Sequence, residues 1–156
     1  LIDTYALEDA EHVIVAVGTI ASEARVAVDE LRSSGYPCGL IRIRSFRPFP
    51  IEELKELLSG VRTVMVLDRA VSFGIGGIVY SEVKSVICGC SSASTFNLIA
   101  GLGGKDVAYP MIAEYMEAAI KGKLKEEATW PYVKLTDHHM VSKEGLEKFW
   151  RKEGVL

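Results

Sequence analysis

The chain is predicted to fold as a three-layer α/β/α sandwich, a single α/β domain followed by a tail. Three observations carry that expectation. Short apolar runs alternate with segments of helical spacing in the order β-α-β-α-β-α-β-α, joined by short connections. The runs at residues 13–17 and 63–67 are almost entirely apolar, as parallel strands covered on both faces are. Finally, 156 residues at 49% apolar composition and mean hydropathy +0.19 suffice for a substantial core.

Residues 1–11 are polar and irregular, with Tyr5 and Leu7 as docking residues, and read as a linker leading into the domain. Val13-Ile14-Val15-Ala16-Val17 is the first strand, and Gly18-Thr19 supplies the turn after it. Over residues 20–34, Ile20, Ala24, Ala27, Val28 and Leu31 recur at three- and four-residue spacing before Gly35, which predicts an amphipathic helix with a glycine stop. Gly39-Leu40-Ile41-Arg42-Ile43-Arg44 alternates apolar and basic residues, so this strand has one wetter face or lies nearer an edge. A strand with two arginines on one face usually meets something negative.

The prolines of Ser45-Phe46-Arg47-Pro48-Phe49-Pro50 forbid regular structure, and Pro50 pre-sets a short helix over residues 51–58 with Glu52 and Glu53 in its first turn. The strand at 63–67 hands over to the loop from Asp68 to Gly77 and then to a helix over 78–87, whose Val79, Val83 and Val86 share a face. A small-residue turn at 89–94, a strand at 95–100, a second glycine-rich loop at 101–106 and a helix at 111–120 complete the domain, bounded at 12–122. Residues 123–156 are read as an extension. It has a solvated Lys/Glu-rich stretch to Ala128, then Trp130-Pro131-Tyr132-Val133 to pin a returning chain, and a short terminal helix over 142–152 that opens on the capping-box-like Ser142.

Eighteen basic against 21 acidic residues leave a net charge of −3, with no Lys/Arg cluster, which disfavours nucleic-acid and membrane surfaces as partners. No apolar run approaches the ~20 residues of a membrane span. Cys38, Cys88 and Cys90 make no Cys-x-x-Cys pair, and together with the lack of a signal segment they point to a reducing, cytoplasmic setting. The opening without methionine suggests a piece of a longer protein.

The loop from Asp68 to Gly77 lies where a parallel strand ends and a helix begins, the position at which α/β proteins place their sites. The helix start after Gly77 should offer free N–H groups and a partial positive charge to an anion or to a partner's backbone. Gly74-Ile75-Gly76-Gly77 resembles a phosphate loop but is not Gly-x-Gly-x-x-Gly, so packing or a subunit contact outweighs nucleotide binding. Gly101-Leu102-Gly103-Gly104-Lys105-Asp106 lacks the Gly-Lys-Ser/Thr ending of a P-loop and reads as a structural turn. Asp68-Arg69 reads equally as a functional pair or as an internal salt bridge. His12 precedes a strand and His138-His139 read as a surface pair, while Cys88 and Cys90 default to buried small hydrophobes. No catalytic set and no metal set is declared.

Several blocks occur in order and at family spacing: Val13 to Thr19, Gly39 to Pro50, Val66-Leu67-Asp68-Arg69 with Ser72-Phe73-Gly74 and Gly77, and Ile99 to Val107. Over residues 3–121 they resemble the second domain of the α subunit of pyruvate:ferredoxin oxidoreductase (pyruvate synthase). The resemblance implies a transketolase carboxyl-terminal-like fold with a five-stranded, mostly parallel sheet, in the carboxyl-terminal part of that subunit. It further implies a complex that interconverts pyruvate, CoA and oxidised ferredoxin with acetyl-CoA, CO2 and reduced ferredoxin. That complex would use thiamine diphosphate, magnesium, iron–sulfur clusters and coenzyme A, with none of these bound by this domain. The partners implied are the remaining α-subunit domain, β, γ and δ-type subunits, and ferredoxin through the complex. Arg42, Arg44, Arg47, Asp68, Arg69, Gly74, Gly76, Gly77 and Lys105 are then interface or anion-binding candidates, the phosphates of coenzyme A being the lesser reading. The alternatives are the same domain of a 2-oxoglutarate or branched-chain 2-oxoacid enzyme, or a free-standing nucleotide-binding module.

Overall fold

The computed structural model describes residues 1–72, 75–89, 91–124 and 128–129. The expectations placed on Phe73 and Gly74, on Cys90, and on the tail with Trp130, His138, His139 and its terminal helix lie outside the described residues. The elements are β1 (Ile2–Tyr5), β2 (His12–Val17), α1 (Ile20–Ser33), β3 (Cys38–Ile43), α2 (Ile51–Leu57) and β4 (Thr63–Asp68). They continue with the short pair β5 (Val71–Ser72) and β6 (Gly76–Gly77), then α3 (Ile78–Ile87), β7 (Ser94–Ile99), a 3-10 turn at Leu102–Gly104, α4 (Tyr109–Ile120) and β8 (Ala128–Thr129).

The main sheet runs β1-β3-β2-β4-β7-β8. Pairing is parallel from β3 to β8, in register at Val15↔Ile41, Ile14↔Met65 and Met65↔Phe96, and only β1 is antiparallel. The mostly parallel sheet expected is thus present in five strands of four to six residues, with the two-residue β8 beyond β7. Period-two alternation splits β2 between two cores. Val13 and Val15 join Ile41, Val64 and Val66 under α2 and α3, through Leu54, Tyr80 and Val83. Ile14 and Ala16 join Leu40, Met65, Phe96 and Leu98 under α1 and α4, through Ala24, Val28, Ile112 and Met116. Helices therefore cover both faces, and each fully buried Ile, Leu or Met contributes about 1.5–3 kcal/mol over its exposed state. Among the described residues no helix is long and apolar enough to cross a membrane.

Helix α1 ends as its sequence requires. Gly35 takes φ +87 and donates its N–H to Arg32 O at 2.9 Å, while Tyr36 N–H reaches back to Leu31 O at 3.0 Å. This Schellman arrangement satisfies the last carbonyls with a residue that carries no Cβ penalty there.

The leading segment departs from the irregular linker read in the sequence. Ile2–Tyr5 forms strand β1 at the sheet edge, paired with β3 from Ile2↔Ile43 to Tyr5↔Leu40. Arg32 of α1 ties down the turn between β1 and β2, donating to Ala6 O at 2.8 Å and Cys38 O at 2.7 Å and pairing with Asp9. The stretch after residue 122, read as solvated to Ala128, contributes β8 at its end.

Candidate functional site

Strands β2 and β4 are neighbours, but α1, which follows β2, covers one face while α3, which follows β4, covers the other. Their divergence opens the sheet's carboxyl end between them, the place where doubly wound folds bind ligands. Gly18 and Thr19 after β2, Asp68 and Arg69 around the end of β4, and the loop after β7 all meet there.

Asp68 is buried, only 1% exposed, and turns under α3. Its Oδ1 accepts the Val79 N–H at 2.8 Å, and its Oδ2 accepts the Tyr80 N–H at 3.0 Å and an Asn97 amide N–H at 2.9 Å. Asn97 completes the arrangement by accepting the Gly77 N–H on Oδ1 at 2.9 Å and donating to Val66 O at 3.3 Å. Burial pushes the Asp68 carboxyl above its ordinary pKa, and the bonds from the α3 N-terminus and Asn97 pull the other way. A Cβ on Gly77 would lie 2.0 Å from Asp68 Oδ2, so only glycine admits the carboxylate here. Gly76 sits beside it with φ +95.

The sequence expectation that the helix start after Gly77 is free for an outside anion is therefore corrected. The chain's own carboxylate fills it, because a buried Asp at the end of β4 reaches those N–H groups before any ligand can. The alternative of an internal Asp68–Arg69 salt bridge falls as well. Arg69 leaves on the opposite side, with its guanidinium 3.5 Å from Thr19 Oγ1.

Arg69 enters a cleft of about 320 Å³ lined by Thr19, Glu23, Lys105, Asp106 and Val107 among others. The structure thus brings Arg69 and Lys105 together, facing Glu23 and Asp106. Glu23 also accepts the Tyr109 N–H at 3.0 Å, so α1 caps the start of α4 across the cleft floor. Among the described residues the cleft lining holds no histidine, cysteine or serine. Its chemistry is that of a charge-balanced polar contact surface. On the α3 side of the same sheet end lies a mostly apolar hollow lined by Val17, Phe46, Leu67, Ala70, Ile78 and Val79 together with Asp68 and Arg69. Ile78 of that lining is 41% exposed, and Ile75 in the preceding loop is 65% exposed.

The other arginines are dispersed. Arg44 pairs with Asp3 at 2.9 Å, Arg47 with Glu82 of α3 at 2.5 Å while lying over the Phe46 ring, and half-buried Arg42 faces a separate groove beside α1. Cys88 is exposed, against the buried default, because it follows the last turn of α3. Burial lifts the Cys38 thiol to about 12. Sequence reasoning misses Asn97, Thr19 and Glu23. Asn97 does carry a signal, as an amide in the middle of an apolar strand must find buried partners.

A family model described as pyruvate:ferredoxin oxidoreductase core domain II matches residues 10–112, from the β2 start to the first turns of α4. The chain belongs to this family. Relatives of the pyruvate:ferredoxin oxidoreductase domain II chain include the pyruvate synthase subunit PorA of Thermotoga maritima, 45% identical over 124 residues, covering 79% of this chain and 32% of that protein. The ketoisovalerate oxidoreductase subunit VorA of Pyrococcus furiosus is 39% identical over 139 residues, covering 86% and 35% respectively. The chain thus spans about a third of the length of these curated relatives. In fold it resembles a split-gene transketolase chain at TM-score 0.59 and 19% identity, covering 78% of this chain and 43% of that one. It also resembles the 2-oxoglutarate:ferredoxin oxidoreductase of Magnetococcus marinus at TM-score 0.56 and 17% identity, covering 77% and 20%. The fold is the transketolase carboxyl-terminal-like α/β sandwich expected from the sequence.

Proposed function

We propose that this chain is the assembly domain of the α-type subunit of a pyruvate:ferredoxin oxidoreductase, silent alone and required for the conversion of pyruvate, CoA and oxidised ferredoxin to acetyl-CoA, CO2 and reduced ferredoxin. The observation that carries the reading is Asp68, which occupies the one loop that sequence offered to a cofactor phosphate. Among the described residues no group of three His, Cys, Asp or Glu is placed to hold a metal. This reading assigns thiamine diphosphate with magnesium, the iron–sulfur clusters and coenzyme A to the rest of the complex. The domain body is residues 12–122, and 123–156 extend it. Its role is to dock the carboxyl end of the sheet on neighbouring domains and hold them in register for the thiamine site. Arg69 and Lys105 offer polar contacts on one side, and Ile75, Ile78 and Phe46 offer apolar ones on the other. This reading sets the chain in the cytoplasm, with the remaining α-subunit domain, β, γ and δ-type subunits, and ferredoxin through the complex, as its partners.

Pyruvate is chosen on the 45% identity to PorA. A branched-chain 2-oxoacid is the second reading, favoured by the longer 139-residue match to VorA. The test pairs titration with capture. The chain is titrated with thiamine diphosphate plus magnesium, coenzyme A, NAD and FMN, and offered the remaining subunits. No binding together with capture is the expected result. Saturable binding of NAD or FMN, lost when Gly76 is replaced by a bulky residue, would overturn the assembly reading. Reconstituted complex assayed on pyruvate and on 2-oxoisovalerate decides the substrate.

A further inference from the structure

A second concavity, away from the β2/β4 opening, lies between the edge strand β1 and the first turns of α1. It measures about 280 Å³ and is lined by Asp3, Thr4, Tyr5, Ser22, Arg25 and Arg42 among others. Two guanidinium groups face it. Arg42 leaves β3 on the face shared with Cys38 and Leu40, is half-buried, and stands opposite Asp3 in the β1–β3 register. The Asp3 carboxylate, however, is bonded to Arg44 at 2.9 Å. Arg42 acts on that carboxylate through its charge, but the hydrogen bond goes to Arg44. Arg25 is oriented from below: its guanidinium carbon lies 4.3 Å from the Tyr5 ring centre, and the Tyr5 hydroxyl is fixed by donating to Asp29 at 2.7 Å. A stacked guanidinium keeps its N–H donors at the edge of its plane, directed away from the ring. The groove lining itself holds Arg25 and Arg42 against Asp3, which leaves one positive charge in excess.

We propose that this groove binds the phosphate group of a small molecule, its oxygens shared between Arg25 and Arg42 with the Ser22 hydroxyl as a neutral partner. A tetrahedral dianion suits two guanidinium forks approaching from different elements better than a planar carboxylate does. The net charge of −3 and the small volume argue for a compact ligand over a nucleic-acid backbone. The inference stands apart from the assembly role, since it concerns the sheet edge and needs no oxidoreductase activity to be tested.

The experiment is isothermal titration of the full-length subunit with pyrophosphate, inorganic phosphate and succinate. Saturable pyrophosphate binding is expected, weakened about tenfold or more by Arg25→Gln and by Arg42→Gln, while Arg42→Lys retains part of it. Unchanged melting temperatures in these variants keep a loss of binding from being read as unfolding. Absence of saturable binding, equal binding in both Gln variants and the parent, or succinate binding as tightly as pyrophosphate would each overturn the proposal.

Discussion

At Gly77 any side chain would collide with the carboxylate that caps α3, since a Cβ there falls 2.0 Å from Asp68 Oδ2 and 2.7 Å from Asn97 Nδ2. Gly77→Ala is expected to cost about 1–3 kcal/mol in urea unfolding, as overpacking of a closed site does. Asp68→Ala should cost a similar amount for a different reason, because the Val79 and Tyr80 N–H groups and the Asn97 amide lose their acceptor. At His12 burial acts on a titrating group instead. The residue is buried in β2, its Nδ1 has no hydrogen-bond partner among the described residues, and burial holds its pKa below the ordinary imidazole value, with Glu11 opposing and Arg62 acting the same way as burial. Because the folded pKa is the lower one, the unfolded chain binds the extra proton first. Stability is therefore full above about pH 6.5 and falls as pH drops through that value toward the folded pKa. His12→Gln should flatten the acid limb of a melting-temperature profile between about pH 5 and 7. A limb of unchanged slope would show that other groups set it.

At the scale of elements, the turn that follows β1 is held by a single side chain, Arg32. Arg32 joins α1 to Ala6 O, Cys38 O and Asp9, and so holds the turn between β1 and β2 against the body of the domain. Arg32→Ala is expected to leave the fold intact but lower the local opening energy of β1 by about 1–3 kcal/mol, read as faster hydrogen exchange at its amides. Exchange as slow as in the parent chain would mean that pairing with β3 suffices alone. This dependence also explains why β1 is not legible in the sequence. Four residues alternating Ile2, Asp3, Thr4, Tyr5 carry too little apolar signal to stand out, and their partners lie far along the chain at residues 40–43. Helix α1 is legible because its stripe of Ile20, Ala24, Ala27, Val28 and Leu31 and its Gly35 stop are local and redundant.

For the whole molecule, the docking role rests on the carboxyl end of the sheet. In a full-length subunit, Ile78→Glu is expected to leave the stability within about 1 kcal/mol of the parent, since the side chain is 41% exposed, and to reduce co-purification of the partner subunits. Retained co-purification would move the docking surface elsewhere. By itself, the sequence determined the four central strands and the four helices of the described residues, and the family, because period-two and helical spacing, glycine stops and ordered motif blocks are all written in local chain order. Only the tertiary structure decided where the charged residues went. Asp68 and Arg69 are consecutive yet leave β4 on opposite sides, one into a helix cap and the other into a cleft. Arg42 and Arg44 both act on Asp3 of the neighbouring strand, but its carboxylate takes its hydrogen bond from Arg44. Partners in those pairs come from elements tens of residues apart, and a charge's role is set by the partner that folding brings within about 3 Å.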